Sequence, residues 1–283
     1  MCYLCTRFVP AGMSREERWQ LSGNAAEFYE RYVRLLMEPW VHCLVDVAAL
    51  QPAEHVLDVA CGTGFVARLA ADPVGAKGRV VGIDLNASMI EAARAASDQD
   101  AATTIEWRTG DAGSLPFENG IFDVVLCQQG VQFFPDRVRA LREMRRVLRL
   151  GGRLAFTVWS AISDTPYHTA LADVLTRHLS AEAGSMARAP YALHDAVELH
   201  GLVASAGFRN VNVRPTIKTT KLPLPAEFVP GHLAALPMAQ EIARLSAERR
   251  NTLVQEMTEA LSAYVDRGQL IFPAGVYVVT ADA

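Results

Sequence analysis

The stretch Val56-Leu57-Asp58-Val59-Ala60-Cys61-Gly62-Thr63-Gly64 decides the fold. Its apolar run to Val59 reads as a short buried strand, its glycines as a tight turn, and Phe65 to Ala71 as the helix that follows. Working outward, Arg79 to Ile83 is a second strand ending on Asp84, and Ser88 to Ala96 is a helix with its Ala, Met and Ile residues on one side. Thr104 to Arg108 is a third strand that runs into Gly110-Asp111. Phe122 to Leu126 is a fourth, continuous enough in apolar residues to be buried on both faces. Asp136 caps a helix through Leu148, Gly151-Gly152 ends it, and Arg153 to Trp159 makes the fifth strand. Strands alternating with helices at this spacing predict an α/β fold built on a doubly wound, mostly parallel sheet.

Upstream of the motif, Glu16 to Leu50 reads as helix, with Phe28, Tyr32, Leu35 and Leu36 on one face until Pro39 breaks the run. Downstream, Ile162 to Ser185 reads as helix, Ala196 to Ala206 as a helix ended by Gly207, and Asn210 to Lys221 as a strand. Pro225 to Asp266 is a proline-bordered helical excursion, and Val276 to Thr280 is the final strand. The expected division is a disordered leader over 1–15, a helical lid over 16–50 and a cofactor-binding core over 51–160. Cap helices and the last sheet strands follow over 161–283, in the same domain as the core. The first twelve residues also read as a start placed upstream of Met13.

Composition narrows the function classes. In 283 residues, 51% are hydrophobic and 20% charged, which excludes a disordered or collagen-like chain. A net charge of -4 argues against an electrostatic grip on nucleic acid or on an anionic membrane. The arginines crowding 137–149 then read as a solvated helix face. The five cysteines are odd in number and scattered, and no second pair completes a metal site with Cys2 and Cys5, so free thiols and no bound metal are expected. No apolar stretch reaches membrane-spanning length and the N-terminus lacks the pattern of a signal peptide, so a cytoplasmic monomer or homodimer is expected.

Three strand ends carry the chemistry. In open α/β sheets a ligand lies outside the carboxyl ends of the strands, where Gly62 and Gly64, Asp84, and Gly110-Asp111 all fall. The glycines permit close backbone approach, and a carboxylate at Asp84 can accept from both hydroxyls of a ribose. These point to a nucleoside cofactor. Gly62-x-Gly64-x-x-Ala67 formally satisfies the dinucleotide fingerprint, so an NAD(P)-dependent oxidoreductase is one reading. Against it, Asp58 would repel a pyrophosphate but suits a cationic amino-acid moiety. Only three lysines are present, Lys77, Lys218 and Lys221, and no Tyr-x-x-x-Lys pair exists for hydride chemistry.

With these residues in hand the chain resembles the class I S-adenosylmethionine-dependent methyltransferases, in the group that includes ubiquinone/menaquinone-biosynthesis and natural-product enzymes. The resemblance rests on Val56 to Gly64, Val81-Gly82-Ile83-Asp84, Gly110-Asp111-Ala112 with Leu115-Pro116-Phe117, Phe122-Asp123-Val124-Val125, and Leu150-Gly151-Gly152. It implies a seven-stranded sheet whose last strand inserts antiparallel, and methyl transfer to a small, hydrophobic or aromatic acceptor. Residue by residue, it implies that Ala60, Gly62 and Gly64 line the methionine moiety and that Asp84 binds the ribose. Leu85 and Met89 would flank the adenine, and Asp111 and Ala112 would reach its edge. Gln128 would meet the methionine amine, and Asp58 would act on the ammonium through water. A non-catalytic S-adenosylmethionine-binding protein is a further alternative. No general base is identified; His168, His232 and Tyr29 are the candidates, since each falls in a stretch expected to roof the pocket.

Overall fold

Alternate residues of the central strands face two different cores, and that alternation builds the layers. In the computed structural model, which describes residues 25–97 and 104–283, β1 (His55–Val59), β2 (Arg79–Asp84) and β4 (Phe122–Gln128) lie side by side and parallel. Val56, Val80, Val124 and Leu126 point to one face. Leu57, Val59, Val81, Ile83 and Val125 point to the other. Both faces are covered, so the strands need apolar residues at every position.

The first face is covered by α2 (Arg34–Ala48), α3 (Phe65–Val74) and α4 (Ala87–Ala95). The second is covered by α5 (Arg137–Val147) and α8 (Ala196–Ser205). With β3 (Ile105–Thr109), β5 (Leu148–Trp159), β6 (Arg209–Leu222) and β8 (Gln269–Asp282), the sheet runs in the order β3-β2-β1-β4-β5-β8-β6. A two-residue stub, β7 (Val265–Asp266), hangs on β8. β8 is antiparallel to both of its neighbours, as the resemblance implied.

A third core lies under a cap made of α6 (Pro166–His178), α7 (Ala181–Arg188), α9 (Pro225–Ala234), α10 (Ala239–Ala243) and α11 (Ala247–Ala260). Trp40, Trp159, Tyr167, Phe228 and Phe272 meet there, joining α2, the end of β5, the cap and β8. The chain enters this core through α1 (Ala25–Phe28) and a π-helical turn, Tyr29–Val33, which leads directly into α2.

Several boundaries differ from the sequence reading for identifiable reasons. Pro39 does not break the helix but sits inside α2. The burial of Leu36, Trp40, Val41 and Leu44 outweighs the one hydrogen bond that its ring removes. The helix capped by Asp136 ends at Val147, and β5 starts at once, with Gly151 (φ 78°) absorbing a kink within the strand. The expected helix over 162–185 is two, because Ser180 caps α7 by accepting the N–H of Ala183. The last strand is nine residues longer than the Val276 to Thr280 reading and runs through Pro273. There β8 pairs only with β6, β5 having ended at the Trp159–Val276 pair, so the missing N–H costs no ladder bond. Arg146 is no solvated face residue: it donates to Glu143, to Asn119 and to the carbonyls of Leu115 and Phe117, tying α5 to the loop before β4. Arg149 belongs to β5 and pairs with Asp123. The expected leader, Cys2 and Cys5 lie outside the described residues.

Candidate active site

The three strand ends are laced together before any ligand is considered. The N–H of Gly62 donates to Asp84 Oδ2 at 2.8 Å and the N–H of Asn86 to Asp84 Oδ1 at 2.9 Å. The N–H of Gly110 reaches the carbonyl of Asp84 at 2.9 Å, and that of Cys61 the carbonyl of Ile83 at 3.1 Å. With the N–H of Leu85 also facing it, the Asp84 carboxylate meets three backbone donors and keeps part of its acceptor capacity for a ligand. Burial raises the Asp84 carboxyl above its ordinary value, and the surrounding backbone N–H groups oppose that rise.

The turn is held in a conformation that few side chains adopt. Ala60 and Gly62 have φ of 56° and 54°, and across the cleft Gln129 has φ of 53°. Two non-glycine residues in the left-handed region at one site are backbone strain maintained by the fold. Gly64 serves otherwise: it starts α3, and a Cβ there would lie 2.2 Å from the indole of Trp107. Its side faces the core, and it does not line the cavity.

Ala60, Gly62, Asp84, Leu85, Met89, Asp111, Ala112 and Gln128 do converge on one cavity of about 340 Å³. Asp58 stands one layer deeper. It is fully buried, and its Oδ2 accepts from the N–H of Ala67 at 3.1 Å. Its Oδ1 has no partner among the described residues, and the residue lines a side cavity of about 50 Å³ together with Gln128, Ala60 and Tyr29. Burial pushes this carboxyl well above the usual range. Opposite it, Gln132 donates to Gln129 Oε1 at 2.9 Å, while Gln129 Nε2 is buried with no partner among the described residues. The polar end of the site thus keeps buried polar atoms without partners among the described residues, the acceptors Asp58 Oδ1 and Gln132 Oε1 and the donor Gln129 Nε2.

The N-terminal segment closes this end. Tyr29 lies on the π-helical turn with its ring against Gly62. Burial, with the charges of Asp84 and Glu30, pushes its phenol up to about 12, so it is a neutral donor at physiological pH and not a base. Next to it, Glu30 accepts from the Thr63 hydroxyl and pairs with Arg68 at 2.8 Å, clamping the segment onto the glycine turn. Nothing in the spacing of the sequence signals that clamp, because its partners are more than thirty residues apart.

The other end of the cavity is apolar and aromatic. His168 on α6 and His232 on α9 line it with Trp159, Leu171, Met186 and Met238. The phenol of Tyr191 meets His168 Nδ1 at 2.6 Å, and that of Tyr167 meets His232 Nδ1 at 2.7 Å. Burial lowers His168 to about 4 and His232 to about 3, so both rings are neutral. The tyrosine partners lie 23 and 65 residues away in sequence and carry no local signal.

Residues 36–216, more than half of the chain, match the ubiE/COQ5 methyltransferase family. The chain is 38% identical over 117 residues to the 2-phytyl-1,4-naphtoquinone methyltransferase of Synechococcus elongatus, covering 41% of this chain and 50% of that protein. It is 33% identical over 174 residues to the arsenite methyltransferase of Halobacterium salinarum, covering 62% of this chain and 42% of that one. The chain therefore spans about half the length, or less, of these curated relatives. In fold it is similar to the YcgJ protein of Bacillus subtilis, at TM-score 0.56 and 18% identity over 86% of this chain and 97% of that one. It is also similar to the Haemonchus contortus phosphoethanolamine N-methyltransferase 2 in complex with S-adenosyl-L-methionine, at TM-score 0.53 and 18% identity, covering 92% and 60%.

Proposed function

Because the chain belongs to the ubiE/COQ5 methyltransferase family, we propose that it transfers a methyl group from S-adenosylmethionine to a small, flat organic acceptor held beneath the cap. One observation carries the reading. A single cavity runs from the polar strand ends at Gly62, Asp84 and Asp111 to the aromatic roof at Trp159, His168 and His232. A donor and an acceptor in that cavity would share one continuous space.

Each residue has a role in this reading. Asp84 accepts from the ribose hydroxyls. Leu85 and Met89 flank the adenine, and Asp111 and Ala112 meet its edge. Ala60 and Gly62 carry the methionine moiety, and the Gln128 carbonyl takes one ammonium hydrogen. Asp58 Oδ1 takes another through a water in the side cavity, which has room for one. Gly64 supports the turn from behind and touches no cofactor. The sulfonium supplies an activated methyl group, and what the protein adds is alignment for in-line displacement. The division into a lid over 16–50, a core over 51–160 and a cap over 161–283 belongs to the same proposal.

An apolar, aromatic roof suits a hydrophobic ring, and similarity to a naphthoquinone methyltransferase supports an acceptor of quinol type. The test is calorimetric titration with S-adenosylmethionine, S-adenosylhomocysteine and NADH, followed by incubation of methyl-labelled donor with 1,4-naphthohydroquinone. Binding of both sulfur compounds and not NADH, with label in the organic product, is expected. Binding of NADH alone would overturn the reading in favour of an oxidoreductase, and cofactor binding without transfer to any of a broad acceptor panel would favour a non-catalytic binding protein.

A further inference from the structure

Two tyrosines stand behind two histidines at the roof of the cavity. From them we infer that His232 and His168 are hydrogen-bond donors to an oxygen of the acceptor, and that neither is a general base. The inference takes from the methyltransferase reading only what occupies the cavity.

The argument begins with hydrogen counting. Tyr167 is fully buried, and the partner of its phenol is His232 Nδ1. A neutral imidazole has one N–H and one bare nitrogen, and a phenol has one hydrogen to place. Were Nδ1–H the donor, the hydrogen of Tyr167 would be buried facing no acceptor. The satisfied arrangement has the phenol donating to Nδ1, which leaves the ring hydrogen on Nε2. At Tyr191 and His168, 2.6 Å apart, the buried Thr165 hydroxyl also meets the phenol and eases its ionisation, as a donor to the phenol oxygen does; the phenol then donates on to Nδ1, and the second ring hydrogen lies on Nε2 as well.

Geometry then sets the direction. Both rings line the cavity, whereas Tyr167 and Tyr191 do not. Neither Nε2 has a hydrogen-bond partner among the described residues. The two imidazoles stand 6.3 Å apart between centroids, one on α6 and one on α9, so two N–H groups enter the same end of the cavity. Trp159, 5.4 Å from His168 between ring centroids and stacked on Tyr191 behind it, lines that end as well. Two neutral donors beside an aromatic wall recognise a ring bearing an electron-rich oxygen: a phenolate, an enolate or a polarised carbonyl. With hydrogen already on both Nε2 atoms, neither ring can take a proton from that oxygen, so the oxygen must enter ionised or not require deprotonation. Tyr167 and Tyr191 are positioning residues, acting through the tautomer that they select.

Two measurements test this. Long-range proton–nitrogen NMR of protein labelled at histidine reads the tautomer directly at neutral pH. Nε2–H patterns are expected for His168 and His232, and Tyr167→Phe should shift His232 alone out of that pattern. An Nδ1–H or imidazolium pattern in the wild-type protein overturns the assignment. In the second, protein saturated with S-adenosylhomocysteine is titrated with 4-nitrophenolate and with 4-nitroanisole, which lacks the ionised oxygen. Preference for the phenolate of about tenfold or more is expected, and His168→Phe and His232→Phe should reduce it while S-adenosylhomocysteine still binds. No preference, or no phenolate binding to protein that holds S-adenosylhomocysteine, overturns the donor role. Failure to bind S-adenosylhomocysteine at all would instead defeat the methyltransferase reading, and the NMR result would stand apart from it.

Discussion

Asp84 receives the backbone N–H of Gly62 across 2.8 Å, so one carboxylate fixes the glycine turn and also offers its remaining lone pairs to the cavity. Replacing it tests both duties. Asp84→Ala is expected to weaken S-adenosylhomocysteine binding by about 1.5–3 kcal/mol, the range for hydrogen bonds to a charged group. Asp84→Asn, which keeps one acceptor oxygen, should lose less. Calorimetric titration of both variants checks the order, and an alanine variant with wild-type affinity would remove Asp84 from the ribose.

Asp58 gives a pH signature. Its folded carboxyl lies well above the unfolded value, so its contribution to stability is fully present below about pH 4 and is lost as pH rises through the folded titration. Asp58→Asn removes that loss. The variant should gain stability relative to wild type as pH rises above about 4, the unfolded carboxyl value, yet bind S-adenosylhomocysteine more weakly. Thermal melts across a pH series, with calorimetry at one pH, separate the two effects.

The roof histidines have the opposite sign. Burial depresses His168 to about 4 and His232 to about 3. Their contribution is therefore fully present above about pH 6.5 and is lost as pH falls towards those values. Urea unfolding between neutral pH and pH 4 should show stability dropping with acid, and His232→Phe should flatten part of the slope. An unchanged slope would mean that the ring is not buried neutral.

Gly64 and Gly75 flank α3 with positive φ, 83° and 64°, but Gly64 is left-handed helical with ψ of 20° and Gly75 lies at ψ of -176°, where essentially only glycine is found. Alanine at Gly75 meets nothing within 4 Å and should cost roughly 1–3 kcal/mol for its backbone alone. Alanine at Gly64 must also displace the Trp107 indole, adding roughly 1–3 kcal/mol of overpacking. Denaturant midpoints rank the two, and the emission of Trp107 should shift only in the Gly64 variant.

The clamp at Glu30 predicts a kinetic effect. Glu30→Gln keeps the shape but loses the charge that holds Arg68. The ion pair is partly exposed, so its effect on stability should be under about 1 kcal/mol. Stopped-flow displacement of S-adenosylhomocysteine should show faster release with little change in melting temperature.

The alternation of strands and helices and the positions of Gly62, Asp84 and Asp111 were legible because each depends on local spacing. Buried parallel strands need continuous apolar runs, and ligand sites fall at strand ends. What was not legible depends on residues far apart in sequence. Pro39 stays helical because Trp40 meets Trp159 across the cap core, 6.3 Å between ring centroids. The role of Gly64 depends on Trp107, which arrives from β3. His168 and His232 were visible as titratable residues in the cap, but their protonation follows from Tyr191 and Tyr167, which no helical or strand period links to them.

The π-helical turn carries two tyrosines with different neighbours. Tyr29 covers Gly62, while Tyr32 lies so close on Gly231 of α9 that a Cβ there would fall 2.1 Å from its ring. One short rod therefore leans on both halves of the cavity. The packing of the glycine turn and that of the helix carrying His232 thus share one support, five residues long.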